Sequence, residues 1–205
     1  QGGLNLHCFC ENDGVNRYDA LGEKPTSDDL TGLAAYAFWR NVANVYFGLL
    51  KGWPIAAMML NKSLDDFNRS EPVVWGEQSD VSTKIKGAVE YQDDLDKLIS
   101  RVALGPHDIS HSSSVEFLKD GDLYSAVKKA DINYCGKICK RRNGTARVHL
   151  EVKVKDTYDF RWWDLDDTKN GSKLVLIGNN LAYLDQKSGI IKPYKWEAHF
   201  SENRR

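Results

Sequence analysis

Four cysteines in 205 residues are too few to staple a fold together, so Cys8, Cys10, Cys135 and Cys139 do not make a disulfide scaffold and leave the redox compartment open. Neither sign of charge is in excess. Lys and Arg number 28 against 29 Asp and Glu, a formal net charge of −1. That excludes a chain that wraps nucleic acid over its whole surface, which needs a basic surplus. Long apolar runs are also missing. The nearest candidate, residues 32–60, is interrupted by Arg40, Lys51 and Pro54, and a membrane-spanning helix needs about 18 or more uninterrupted apolar residues. What is present is a foldable composition. Hydrophobic residues make up 41% of the chain, too many for a disordered segment, and six Trp with nine Tyr imply a packed core or an adhesive surface. The length suits one good domain or two small ones. The opening Gln1-Gly2-Gly3-Leu4 is neither a signal peptide nor an initiation site, so the chain is expected to be part of a longer protein.

The first 22 residues combine a short apolar run, Leu4 to Phe9, with turn chemistry at Asn12-Asp13-Gly14 and Gly22. On Gly2-Gly3-Leu4-Asn5-Leu6, Asn12-Asp13, Val15-Asn16 and Asp19-x-x-Gly22, this segment resembles the C-terminal end of an RHS-repeat core. Gly14 and Ala20 stand where many members carry proline, and Glu23 where the family is apolar. The resemblance implies that residues 1–23 close a β-cage and that the remainder is a variable toxin tip used in competition between bacteria. Asp19 would match the acidic position tied to self-cleavage. The implied partners are the cage of the same polypeptide and a cognate immunity protein. The implied setting is a secreted or delivered effector.

Residues 24–105 read as the helical part of that tip. After a polar linker with Pro25, Leu33, Tyr36, Trp39, Val42, Val45, Tyr46, Leu49 and Leu50 follow helical spacing until Gly52-Trp53-Pro54 breaks it. A second helix is expected over 55–64. Core helices are the plain reading; a membrane-active hairpin over 33–60 is the sharper one, with Arg40 and Asn44 making full insertion costly. Residues 65–96 carry nine acids and three bases. A helix is expected over 81–102, ending at Leu104-Gly105-Pro106.

Residues 106–205 read as the strand-rich part. His107 and His111 would share a helix face and could hold one metal. Gly105, Pro106 and three following serines argue instead for a loop. From 137 to 155, seven bases face one acid. Asn143-Gly144 marks a hairpin turn. After it Ala146, Val148, Leu150, Val152 and Val154 alternate with Arg147, His149, Glu151, Lys153 and Lys155, a strand with one buried and one basic face. Leu174–Ile177 is expected as a strand, Gly178-Asn179-Asn180 as a turn, Leu181–Leu184 as a helical turn and 194–200 as a last strand with Trp196 and Phe200 inward. Asn203 to Arg205 is expected to fray. The fold class is α+β, with a helical N-terminal half packed on a mostly antiparallel sheet.

The basic strand runs into Asp156-Thr157-Tyr158-Asp159-Phe160. Two close carboxylates can divide acid and base roles or hold a divalent metal such as Mg. Strand plus D-x-Y-D-F resembles the catalytic segment of colicin M-type bacteriocins, which cleave the phosphoester of a lipid-linked peptidoglycan precursor, lipid II, in the periplasm. Asp156, Tyr158 and Asp159 match; the His-Arg pair that follows in that family is absent, and Arg161 or His149 would stand in for it. The resemblance implies a lipid-linked or membrane target and action in the periplasm or at the membrane rather than the cytoplasm. Three other readings stand beside it. They are a membrane-disrupting toxin, a nuclease using the basic stretch 137–155, and a non-catalytic binding domain. Near-neutral charge weakens the nuclease.

Overall fold

A computed structural model describes residues 28–65, 69–161 and 173–204. The RHS-like segment with Asp19 lies outside the described residues. Two units divide the chain, Gln1–Ala34 and Ala35–Arg205. Of the first, the described part is the opening turns of helix α1 (Asp28–Asn41).

In the second unit, α1 continues into a π-helical stretch, Val42–Lys51, which Gly52 ends in the left-handed conformation (φ 64°). Pro54 at the first turn starts α2 (Pro54–Leu64), where its missing N–H costs nothing. A three-residue strand, β1 (Val73–Trp75), leads to α3 (Asp80–Gly87) and α4 (Val89–Arg101). Ser79 caps α3 by accepting from the Ser82 N–H. The single helix expected over 81–102 is therefore two. Ala88, in extended conformation, breaks it, and the buried Val81 and Ile85 then belong to one helix, Tyr91, Leu95 and Leu98 to the next.

Long strands follow: β2 (Gly105–Glu116), β3 (Lys129–Lys140) and β4 (Ala146–Tyr158), with the short α5 (Gly121–Ala126) between β2 and β3. The Asn143-Gly144 turn forms as its residues dictate: Gly144 has φ 84° and the Asn143 side chain accepts from the Thr145 N–H. After β4 come α6 (Lys173–Lys187) and β5 (Tyr194–Arg204). The sheet order is β1-β5-β4-β3-β2, antiparallel throughout except for the β1–β5 pair. This is the α+β architecture expected.

Three further expectations are corrected. The His107–His111 segment is neither helix nor loop but the middle of β2, paired residue by residue with β3. Four residues along a strand separate the two imidazoles by about 13 Å, and His111 stacks on Tyr134 instead. Leu174–Ile177 is helix, part of α6; Leu174, Ile177, Leu181 and Leu184 recur at helical spacing, and Gly178 is carried inside the helix. The C-terminus does not fray before Arg204, because Asn203 and Arg204 pair with β4 and the Arg204 guanidinium bonds Asp96, Glu202 and Gln92.

Alternation along the strands sorts the sheet into two faces. Ile132, Tyr134, Ile138, Val148, Leu150, Val152, Val154, Tyr194, Trp196, Ala198 and Phe200 line the buried face, and the helices cover it. Tyr91 of α4 packs between Tyr134 and Phe200 and donates to Glu202. The Tyr194 hydroxyl donates to the Met59 carbonyl, tying β5 to α2. Asp122 of α5 is almost wholly buried and accepts from the Ile55 and Ala56 N–H groups. Among the described residues nothing covers the opposite face, which is polar and carries the basic side chains of β4 as the alternation predicts.

One region keeps large apolar side chains in the open. Tyr36, Val45, Tyr46, Leu49 and Leu50 are all exposed along α1 and the π-helical stretch. Among the described residues no helix is long and apolar enough to cross a membrane.

Candidate functional site

Strand β4 delivers Asp156 to the buried face of the sheet, in the row that runs Val148, Leu150, Val152, Val154. It stands directly across from Trp196 on β5. A carboxyl group in an apolar row is what sheet patterning avoids, so this residue breaks a local rule without an apolar reason. The indole N–H of Trp196 is buried and has no hydrogen-bond partner. A half-buried carboxyl thus stands opposite an indole N–H without a hydrogen-bond partner, across one strand pair.

Burial pushes the Asp156 carboxyl up to about 7; the Asp159 and Asp131 charges push the same way, while the Thr157 N–H and the Arg161 cation oppose them. A carboxyl titrating near neutrality can both give and take a proton at working pH. Asp159 is exposed, three residues on, and its Oδ2 lies 3.5 Å from Arg161 Nε. The surroundings of one carboxyl thus keep it partly protonated, and the other stands in water beside a cation.

Helix α6 holds the segment that follows the strand. The Gln186 side chain accepts from the Phe160 N–H at 2.8 Å and donates to the Phe160 carbonyl at 3.2 Å. Asn179 donates to the Arg161 carbonyl at 2.6 Å. These amides fix the backbone that carries Asp159 and Arg161. The sequence hides both, because Gly178-Asn179-Asn180 reads as a turn that would separate Asn179 from Gln186. The helical spacing of Leu174, Ile177 and Leu181 was the signal that placed them on one element.

Tyr158 lies in the core, 6% exposed, with its ring against Phe160 and Tyr194. It anchors the strand end from which both carboxylates project. His149 is not brought to this cluster. It lies seven residues earlier on β4 and on the opposite face, roughly 23 Å along the strand. Asp156, Asp159 and Arg161 are therefore close enough to act on one another's charge, Tyr158 packs into the core in the same row as Asp156, and His149 lies elsewhere.

Among the described residues no group of three or more His, Cys, Asp or Glu side chains could hold a metal ion. Asp156 and Asp159 could offer magnesium two carboxylates, a number that ion accepts when water completes its shell.

The fold is thus an α+β domain in which helices cover one face of a five-stranded, mostly antiparallel sheet. No family model matches the chain, and no curated protein matches it. Among solved structures it is similar to PaeM, a colicin M-like bacteriocin produced by Pseudomonas aeruginosa, with 14% sequence identity and a TM-score of 0.37. The match covers 71% of this chain and 44% of that one, so the chain spans less than half the length of this neighbour.

Proposed function

We propose that the chain is a bacterial toxin domain that hydrolyses a phosphoester, with a lipid-linked phosphate as its substrate class. The observation that carries this reading is Asp156, a carboxyl held near neutrality on the buried face of β4 and backed by Asp159 and Arg161. In this reading Asp156 gives its proton to the leaving oxygen. Asp159 takes a proton from the attacking water, and Arg161 neutralises a phosphate oxygen. The D-x-Y-D-F resemblance to colicin M-type enzymes supports the same chemistry, with Arg161 in place of the absent His-Arg pair. An immunity protein in the producer and an RHS cage upstream belong to the proposal as partners.

Growth of a susceptible bacterium tests it. Residues 24–205 are expected to lyse cells when exported to the periplasm and to be tolerated in the cytoplasm. Asp159→Asn should lower killing roughly 100-fold or more, the scale of a lost proton-transfer group. Killing only from the cytoplasm would overturn the envelope target and favour an intracellular one, the nuclease included.

A membrane-facing reading has its own observation, the exposed Tyr36, Val45, Tyr46, Leu49 and Leu50. Large apolar side chains exposed along one helical stretch favour a lipid interface. The full chain is expected to co-sediment with liposomes without releasing a trapped dye. Release would instead make membrane disruption the activity, and absence from the liposome pellet would remove both membrane roles.

A further inference from the structure

The uncovered face of the sheet carries a second constellation, remote from Asp156. His149 on the central strand β4 is directly paired with Asn203 on β5. Their side chains meet, His149 Nδ1 lying 2.5 Å from Asn203 Oδ1. An amide oxygen can only accept, so Nδ1 carries the hydrogen and the other ring nitrogen, Nε2, keeps its lone pair. Asn203 lies on the β5 side. Across the ring, Nε2 therefore turns toward β3.

Lys137, directly paired with His149, stands there. Cys139 pairs with Arg147 and Cys135 with Glu151, so the two cysteines hold the two diagonal places beside the imidazole on the same face. Diagonal neighbours are about 7–8 Å apart at the backbone, a gap that the long imidazole side chain narrows. Cys139, His149 and Asn203 line one depression of about 670 Å³, together with Lys137 and Arg147. Gly136 fixes the strand spacing beside it. Its φ is 146°, and a Cβ there would lie 2.3 Å from the His149 carbonyl oxygen, so only glycine lets β3 approach β4 this closely. Cys135 sits on the same strand and the same face but outside that depression, and is exposed.

We infer that Cys139, His149 and Asn203 form a thiol acyl-transfer site, with Cys139 as nucleophile, His149 as base and Asn203 as its positioning residue. A thiol, an imidazole that can take its proton and a third group that fixes the imidazole tautomer are the parts such a site requires. Nε2 takes the proton from Sγ. Sγ then bonds to the acyl carbon of an amide or ester, and the departing amine or alcohol leaves with the proton held on Nε2. Water, deprotonated by Nε2, then cleaves the thioester, freeing the carboxylic acid and returning the thiol. Lys137 and Arg147 on the rim select an acyl substrate that carries a carboxylate or phosphate near the scissile bond.

The test uses the full chain, p-nitrophenyl acetate as acyl donor, and mass spectrometry of tryptic peptides to read each cysteine separately. Cys139 should be acetylated roughly 100-fold faster than Cys135, the scale of base assistance. His149→Ala should bring the two cysteines to parity. Asn203→Ala should slow Cys139 and Asn203→Asp restore it, which a merely structural role would not produce. All three side chains lie on the uncovered face, so thermal melting should stay unchanged and report that the variants fold. Equal acetylation of Cys139 and Cys135 in the parent chain, or no response to His149→Ala, would overturn the inference.

Discussion

Asp156→Asn is expected to abolish killing and at the same time to stabilise the fold above pH 7. The first effect follows from its proposed role as proton donor. The second follows from where the carboxyl sits. An unfolded Asp releases its proton near 3.8, whereas burial holds the folded one up to about 7. Below pH 4 both states are protonated and Asp156 costs nothing. Between about pH 4 and 7 the unfolded chain has released a proton that the folded chain retains, so stability falls as pH rises. Above 7 the loss is complete, at most about 4 kcal/mol. Asparagine has no charge to bury and removes that decline. Urea unfolding at pH 4.5 and 8 checks it: the variant midpoint should drop less between the two than the parent midpoint does. A variant that is inactive but less stable than the parent at pH 8 would mean that Asp156 is a structural carboxylate, and the phosphoester reading would lose its centre.

Asp122→Ala should cost about 2–4 kcal/mol, the largest loss expected from any single polar side chain here. Helix α2 begins at Pro54 after Trp53, which offers no side-chain cap. The free N–H groups of its first turn are met instead by Asp122, brought from α5, at 3.3 Å to Ile55 and 2.8 Å to Ala56. Lys84 lies 3.8 Å from the same carboxylate, and Asp120 joins that lysine at 3.0 Å. Truncation leaves two donors unpaired in the core at the positive end of a helix. For a chain of this size that corresponds to a fall in Tm of roughly 5–15 °C. Asp122→Asn keeps an acceptor and should lose less. Burial outweighs the two N–H donors and raises the Asp122 carboxyl above its ordinary range. An Asp122→Ala melting curve that matches the parent would show that α2 does not depend on this cap.

Where the pattern was dense, the fold was readable from the residues. Asn143-Gly144 and the alternation from Ala146 to Lys155 specified the β3–β4 hairpin, because a period of two with turn chemistry at its head has few other solutions. Gly52-Trp53-Pro54 marked a true break. Misreadings came where competing signals were local and weak. The serines and glycine around His107 read as a loop. Pairing along the whole of β3 overrode them, since a strand's hydrogen bonds are settled by its neighbour and not by its own propensities. Gly178-Asn179-Asn180 read as a turn because those residues favour one; the apolar periodicity on either side won.

The candidate sites divide along the same line. Asp156, Tyr158, Asp159 and Arg161 could be named from sequence because they are nearly contiguous, and one strand end keeps them together. Their unequal surroundings could not. Which carboxylate is buried depends on the parity of β4 within the sheet and on Trp196 opposite, supplied from forty residues further on. His149 was a candidate for the wrong neighbours. Asn203, which it bonds, and Cys139 come from the strands on either side of it, and only the register of three strands sets them in one depression. By itself the sequence determined the α+β class and the hairpin, because local periodicity and turn residues act over a few positions. The tertiary structure alone decided which groups are desolvated and which meet across strands, because burial and cross-strand distance are properties of the assembled sheet.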